Sequence, residues 1–321
     1  MIRNDVVIVG GGPAGSACAW ALRKHGIQTI VLDREPFPRL KLCAGWVTPR
    51  VWQHLGVRQA SYPYGLTTLS RLRVSVRGRA LEIRARQQAI RRVEFDHWLL
   101  QRAGVPVALH QVRSIVERDG GYLVDGTYWG KYLVGAGGTH CPVARTFFNE
   151  VNPRSERALI VTLEEEFPYR VRNDACHLWF FDDGLPGYAW YVPKAGGYVN
   201  VGVGGKAARL RARDDTIRRH WELLVVRLEV LNLVRGYRFR PRGHAYYLRE
   251  ARRTLRRDNA MVIGDAAGLA TMDMGEGIEP AIMSGLLAAE AIVHNKDIDV
   301  SKLRRWSQPF PIGPLLAWAL G

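Results

Sequence analysis

Acidic residues are in short supply: 30 Asp and Glu stand against 46 Lys and Arg, leaving a formal charge of +16. That balance excludes an acidic, self-repelling chain and favours anionic partners, whether lipid headgroups, phosphorylated ligands or nucleic acid. The arginines are interleaved with apolar residues over 71–92, 205–219, 235–257 and 302–305 instead of forming one basic tail. A phosphate- or membrane-facing patch and an ordinary solvated surface both fit that distribution. Cysteine is scarce as well. Cys18, Cys43, Cys141 and Cys176 lie far apart, with no Cys-x-x-Cys pair and no histidine at zinc-ligand spacing. This excludes a disulfide framework and a zinc ribbon, no metal site is expected, and a reducing cytoplasm fits. Long apolar runs are missing too, none reaching the roughly 20 residues that cross a bilayer. A strand-like run begins almost at Met1, so neither a membrane span nor a cleaved leader is expected. No Ser-His-Asp order and no paired carboxylates stand out, which leaves hydrolytic chemistry without support.

What is present begins at once. Asp5-Val6-Val7-Ile8-Val9-Gly10 is a continuous apolar run of the kind found in buried parallel strands, and it enters Gly10-Gly11-Gly12-Pro13-Ala14-Gly15 directly. Helix formers fill residues 16–25, Gly26 ends that helix, and Gln28-Thr29-Ile30-Val31-Leu32 makes a second strand closing on Asp33. In such a βαβ unit Gly10 permits the tight turn, Gly12 admits a pyrophosphate close to backbone, and Gly15 lets helix and strand approach. The helix N-terminus then faces the phosphates, and Asp33 stands where a carboxylate grips ribose hydroxyls. The loop reads as a dinucleotide site.

The far end of the chain selects the dinucleotide. Asn259-Ala260-Met261-Val262-Ile263 reads as another buried strand, followed by Gly264-Asp265-Ala266-Ala267-Gly268 and a small-residue helix over about 275–294. An acid placed there reaches the ribityl chain of FAD, and the helix start aims its positive dipole at the flavin ring. FAD is therefore the expected cofactor.

Several segments together resemble the geranylgeranyl reductase family, within the flavoproteins of the para-hydroxybenzoate hydroxylase fold. They are the glycine loop, Pro38-Arg39-Leu40-Lys41-Leu42-Cys43-Ala44-Gly45, Arg92-Val93-Glu94-Phe95-Asp96-His97-Trp98-Leu99, Val134-Gly135-Ala136-Gly137-Gly138, Gly187-Tyr188-Ala189-Trp190-Tyr191-Val192-Pro193-Lys194, and Gly264 to Gly268 with Gly275-Glu276-Gly277-Ile278. The resemblance covers residues 1–295. It implies an α/β chain with a Rossmann-like parallel FAD-binding sheet and a smaller antiparallel-sheet substrate domain. By it, residues 1–70, 91–150 and 256–295 build the FAD-binding part, 71–90 and 151–255 the substrate part, and 296–321 a tail. Ala14, Asp33, Arg34, Ala44, Gly45, Arg92, Gly264, Asp265, Gly275, Gly277 and Ile278 would contact FAD, with Arg92 near the pyrophosphate. Val112, in the strand-like stretch 111–116, would offer backbone to the adenine.

Two features depart from the family. Ala136-Gly137-Gly138 stands where many relatives have Ala-Asp-Gly, so a carboxylate expected near the cofactor is missing. Only residues 296–321 follow the last expected helix, where relatives carry a further domain over a lipid tail; the substrate tunnel is then open, short or completed by a partner.

The resemblance places Cys43 close to the flavin as a catalytic candidate. A thiol there donates a proton, tunes the flavin or merely packs, and the sequence leaves these open. Residues 185–205 alternate like an antiparallel hairpin turning at Ala195-Gly196-Gly197, which puts Tyr188 and Trp190 on one strand face, as substrate contacts or as sheet packing. Residues 216–233 carry helical apolar spacing that fits a core-facing helix or a membrane-surface one. The preferred activity is hydride transfer from reduced FAD to a carbon–carbon double bond of an apolar, isoprenoid-like substrate. The alternatives are a monooxygenase or halogenase working through a flavin hydroperoxide, and a non-catalytic flavoprotein bound to anionic lipid or RNA. NAD(P)H or a reduced ferredoxin would supply electrons. A peripheral contact with an anionic membrane suits the charge, whereas no nucleic-acid motif is present.

Overall fold

The computed structural model describes residues 1–171, 174–250, 253–308 and 312–315, and the chain folds around two sheets. The first is built on parallel strands in the order Ala260–Val262, Tyr128–Gly135, Ile2–Val9, Thr29–Asp33 and Val107–Leu109. Ile8 sits between Val31 and Val134. A sheet covered on both faces needs side chains that are apolar on both, which is why Val6, Val7 and Ile8 read as an unbroken run and have no exposed surface. Each contributes about 1.5–3 kcal/mol by leaving water. A short antiparallel arm, Ile115–Arg118 with Gly121–Val124, attaches to Tyr128–Gly135.

Helix Pro13–Lys24 follows the first strand, and helix Ile278–Val293 follows the last parallel one. The two helices pack so closely that a Cβ on Gly285 would lie 2.2 Å from the Ala14 carbonyl oxygen. Small residues at 281, 285, 288 and 289 make that approach possible, and it brings the starts of both helices to the same side of the sheet.

The second sheet runs in the order Arg242–Tyr247, Leu159–Pro168, Tyr198–Lys206, Gly187–Lys194, Cys176–Phe180, Thr67–Val76, Arg79–Ala89 and Trp46–Val47. All its pairings are antiparallel except that of Cys176–Phe180 with Thr67–Val76. The hairpin turn falls on residues 195–197, as its glycines predict. One face carries Trp179, Tyr191, Val201 and Val203 and is covered by helix Ile217–Val230 through Trp221, Leu224 and Leu228. Of the two readings of that apolar spacing, the core-facing one is the observed one. The other face carries Tyr188, Trp190 and Leu178 and looks onto the parallel sheet's glycine loops. Among the described residues no helix is long and apolar enough to cross a membrane.

Candidate active site

A cavity of about 810 Å³ lies between the first sheet's loops and the open face of the second, a size suited to a dinucleotide cofactor with a small pocket beyond it. Its floor is the glycine loop. Gly10 has φ +111°, and a Cβ there would come within 2.4 Å of the Ala136 carbonyl oxygen. Gly15 would place a Cβ 1.9 Å from the Gly10 carbonyl oxygen. Neither position accepts a side chain without moving the loop. Helix Pro13–Lys24 starts with no side-chain cap and no acid in its first turn, so its free N–H groups and dipole remain available to an anion.

An unpaired donor stands at the same spot. Arg39 Nε is buried with no hydrogen-bond partner among the described residues, its guanidinium lies 4.6 Å over the Phe37 ring, and Nη2 is 3.7 Å from where a Gly12 Cβ would be. A buried guanidinium nitrogen without an acceptor costs free energy that a phosphate oxygen would recover. Orphaned donor, open Gly12 and uncapped helix start together fit the diphosphate of FAD.

Asp33 is already engaged. Its Oδ2 accepts from Gly11 N at 2.7 Å and its Oδ1 from Glu35 N at 3.1 Å, so the carboxylate fixes the loop as well as facing the cavity. Of the other expected cofactor residues, Gly12, Pro13, Ala14, Arg34, Ala44, Arg92, Val112, Asp265, Gly275, Gly277 and Ile278 also line the cavity. Gly15, Gly45 and Gly264 sit just behind the lining and act through close packing: against Gly10, against Ile90 and Lys194, and against Ala14 respectively. Val112 lies in a loop; the strand expected over 111–116 begins only at Ile115. The Asp125 carboxylate takes the amides of Arg113 and Ser114, removing them from any ladder.

Arg92 is buried and bidentate to Asp96, with Nε–Oδ1 at 2.7 Å and Nη2–Oδ2 at 2.8 Å. Burial opposes its charge, but the Asp96 carboxylate and its hydrogen bonds outweigh that and hold the guanidinium above its ordinary pKa. Cys43 is beside it, with Sγ accepting from Gly45 N at 3.3 Å.

The opposite wall follows from register. Tyr188 and Trp190 do share a face, their rings 5.6 Å apart, and both line the cavity. The Tyr188 hydroxyl donates to the Met274 carbonyl at 2.7 Å. Trp190 Nε1 donates to Asn200 Oδ1 at 2.7 Å, and Asn200 Nδ2 donates to Glu164 Oε2 at 3.3 Å. Burial pushes the Glu164 carboxyl up to about 7, against the pull of Asn200 and Lys194. Burial likewise raises Glu276 to about 8, although the Glu279 amide donates to it. Lys41 Nζ lies 2.7 Å from His244 Nε2. Burial and the Lys41 charge lower the imidazole to about 4, and burial lowers the Lys41 ammonium as well.

Sequence reasoning missed Arg39, Glu164, His244 and Glu276 as site residues. Arg39 and Glu276 stood inside quoted segments, and their chemistry was the available signal. Glu164 and His244 had no local signal. Ser307 and Gln308 also reach the cavity, held by their amides on the buried Asp273 carboxylate at 2.8 Å each. Of the tail expected over 296–321, residues 309–311 and 316–321 lie outside the described residues.

Fold and cavity together define an FAD-dependent oxidoreductase. Residues 5–99 match the FAD dependent oxidoreductase family. The chain is 31% identical to the menaquinone reductase of Mycobacterium tuberculosis, over 90% of this chain and 76% of that one. It is 29% identical to digeranylgeranylglycerophospholipid reductase 1 of Methanopyrus kandleri, over 95% and 86%. A geranylgeranyl bacteriochlorophyll reductase-like structure from Thermoplasma acidophilum superposes with a TM-score of 0.77 at 19% identity, covering 100% of this chain and 82% of that one. A flavin-dependent brominase superposes at 0.70 with 21% identity, a likeness of fold alone. The chain belongs to the geranylgeranyl reductase family of FAD-dependent oxidoreductases.

Proposed function

We propose that this enzyme reduces carbon–carbon double bonds of an apolar, isoprenoid-like substrate. The carrying observation is the makeup of the wall opposite the glycine loops: Leu178, Tyr188, Trp190 and Val192 form an apolar surface, with the polar groups Thr162, Glu164, Arg242 and His244 gathered along one side of it. The names of the relatives, reductases of digeranylgeranyl lipids, geranylgeranyl diphosphate and menaquinone, point the same way.

Reduced FAD, when bound, supplies the hydride, and the protein supplies position and protons. Gly10, Gly12, Pro13, Ala14 and Gly15 would cradle the diphosphate with Arg39, and Asp33 and Arg34 would face the ribose. Val112 would serve the adenine from its loop. Asp265, Gly275, Gly277 and Ile278 would lie along the ribityl chain and ring, near Ala44 and Gly45, with Arg92 holding Cys43 in place. Tyr188 and Trp190 would orient the substrate, and the dry wall excludes water from the reacting carbons. The carbon that does not receive hydride needs a proton. Cys43 Sγ and the Glu164 carboxyl both stand on the cavity wall; the latter holds its proton to near neutral pH.

Electrons would come from NAD(P)H or a reduced ferredoxin, each binding transiently. Adding NADH, NADPH and reduced ferredoxin in turn under anaerobic conditions, while following flavin absorption, identifies the donor. The reduced protein is then mixed with polyprenyl substrates, and mass spectrometry should show saturated products with reoxidation of the flavin. If every polyprenyl compound stays unsaturated, or turnover occurs only with oxygen, the proposal fails.

A further inference from the structure

The sheet face that forms the cavity wall does not stop at the cavity. Register carries it outward row by row. Gly202 sits opposite Trp190, Trp190 opposite Leu178, Leu178 opposite Val74, and Val74 opposite Leu81. One row over, Phe180 sits opposite Val76, and on the other side Cys176 opposite Leu72 and Leu72 opposite Ile83. Residues paired across a ladder share a face, so one apolar face runs from Trp190 at the cavity to the outermost ribbon, Thr67–Val76 with Arg79–Ala89, buried at Leu178, Phe180, Cys176 and Leu72 where Trp46, Phe181 and Met274 pack against the cluster.

There it meets water. Val76, Leu81 and Ile83 are 36%, 48% and 43% exposed on the cavity-side face. Among the described residues the outer edge of the strand is also bare over most of its length, because Trp46–Val47 pairs only with Gln88 and Ala89. An exposed apolar row beside a free edge is a hazard unless something covers it. The surrounding charge indicates what. Arg77 and Arg79 form the ribbon tip, and Arg84 and Arg86 point to the other side of the same free-edged strand; all four are exposed and make no ion pair among the described residues. Arg71 and Arg73, further back, are neutralised by Asp174 and Glu82. A second copy of this chain, itself at +16, would be repelled by such a rim. A lamella of negative headgroups over an apolar interior matches both features, with long arginine stems reaching the headgroup level.

We propose that this ribbon docks the enzyme on an anionic lipid bilayer, and that the continuous apolar face is the path by which a lipophilic substrate passes from the bilayer into the cavity. Docking stands on the surface alone; the path rests on the apolar-substrate reading given above.

The flavin-loaded enzyme is floated with phosphatidylcholine vesicles and with vesicles containing about one-third phosphatidylglycerol. Binding is expected on the anionic vesicles, weakening with salt. Leu81→Asp/Ile83→Asp and Arg77→Glu/Arg79→Glu should each lower partitioning at least about tenfold, with flavin absorption unchanged as the sign of an intact fold. Wild-type enzyme that stays off anionic vesicles, or variants that float like wild type, would overturn docking. So would a sedimentation experiment without lipid showing a wild-type dimer that Leu81→Asp/Ile83→Asp dissociates. For the path, a polyprenyl substrate is offered in vesicles and in detergent. Loss of turnover by Leu81→Asp/Ile83→Asp in vesicles alone supports it, and equal turnover in both overturns it. Absence of turnover by wild type in either medium sinks the reductase reading while leaving the flotation result intact.

Discussion

Arg92 is expected from the sequence to lie near the FAD pyrophosphate, and the structure pairs it with Asp96 in a buried, bidentate contact one helical turn along. The two roles separate in a double-substitution experiment. Asp96 has no exposed surface and Arg92 very little, so Asp96→Ala strands a guanidinium in the interior. Removing one partner of a buried pair costs about 3–5 kcal/mol, because the remaining charge keeps its full desolvation penalty. Arg92→Met/Asp96→Leu removes both charges while conserving volume and should cost far less, within about 1 kcal/mol of wild type. Urea unfolding of the holoprotein at fixed excess FAD measures these differences, since bound ligand otherwise shifts apparent stability. Flavin affinity, from fluorescence of released FAD, gives the second reading. If Arg92 also serves the cofactor, the double variant is stable yet binds FAD at least about tenfold more weakly. An Asp96→Ala variant within about 0.5 kcal/mol of wild type would refute the claim that burial makes this pair costly to break.

Three further outcomes follow. Gly15→Ala, whose new carbon would sit 1.9 Å from the Gly10 carbonyl oxygen, forces the loop to shift and should weaken FAD binding at least about tenfold, measured by equilibrium dialysis; unchanged affinity would mean the loop does not hold the diphosphate. Glu164, raised by burial from 4.5 to about 7, makes the folded state progressively less stable as pH rises through that window, by about 3 kcal/mol in all. Glu164→Gln removes the ionisation, so its urea midpoint should vary less than wild type between pH 5 and pH 8, and an identical slope would contradict the buried-acid assignment. If Glu164 delivers the proton, Glu164→Gln slows substrate-driven flavin reoxidation by about 10²–10⁴-fold while Cys43→Ser does not, and the reverse pattern in stopped-flow traces assigns the proton to Cys43.

The glycine-loop side of the cavity was legible because its requirements are local. A turn at Gly10, a close approach at Gly15 and a helix start at Pro13 are contiguous in sequence, and each follows from backbone geometry that only those residues satisfy. Tyr188 and Trp190 were half legible: alternation put them on one face, but which face met the cavity depended on the partners of that strand. Val112 was misread as strand because an apolar residue in an alternating run carries no record of Asp125, which caps the neighbouring amides from a distant turn.

The wall shows why the remainder was silent. Glu164, Glu165 and Glu166 look like a solvated charge run, yet pleating sends them to three fates. Glu164 faces the cavity opposite Gly202, where the missing side chain leaves room for the Trp190 ring, which donates to Asn200 while Asn200 donates to the Glu164 carboxyl. Glu165 turns to the other face and accepts from Tyr237 and the Arg240 amide. Glu166 pairs with Arg91 and with Lys194, a lysine whose side chain is wholly buried. Arg91 and Arg92 split in the same way, the first stacking at 3.5 Å over Tyr198, the second sealed against Asp96. Adjacent identical letters thus acquire opposite environments from pairings made with strands tens of residues away. A site assembled by such pairings is fixed by long-range register, and Glu164 is the cavity acid whose surroundings the local pattern specified least.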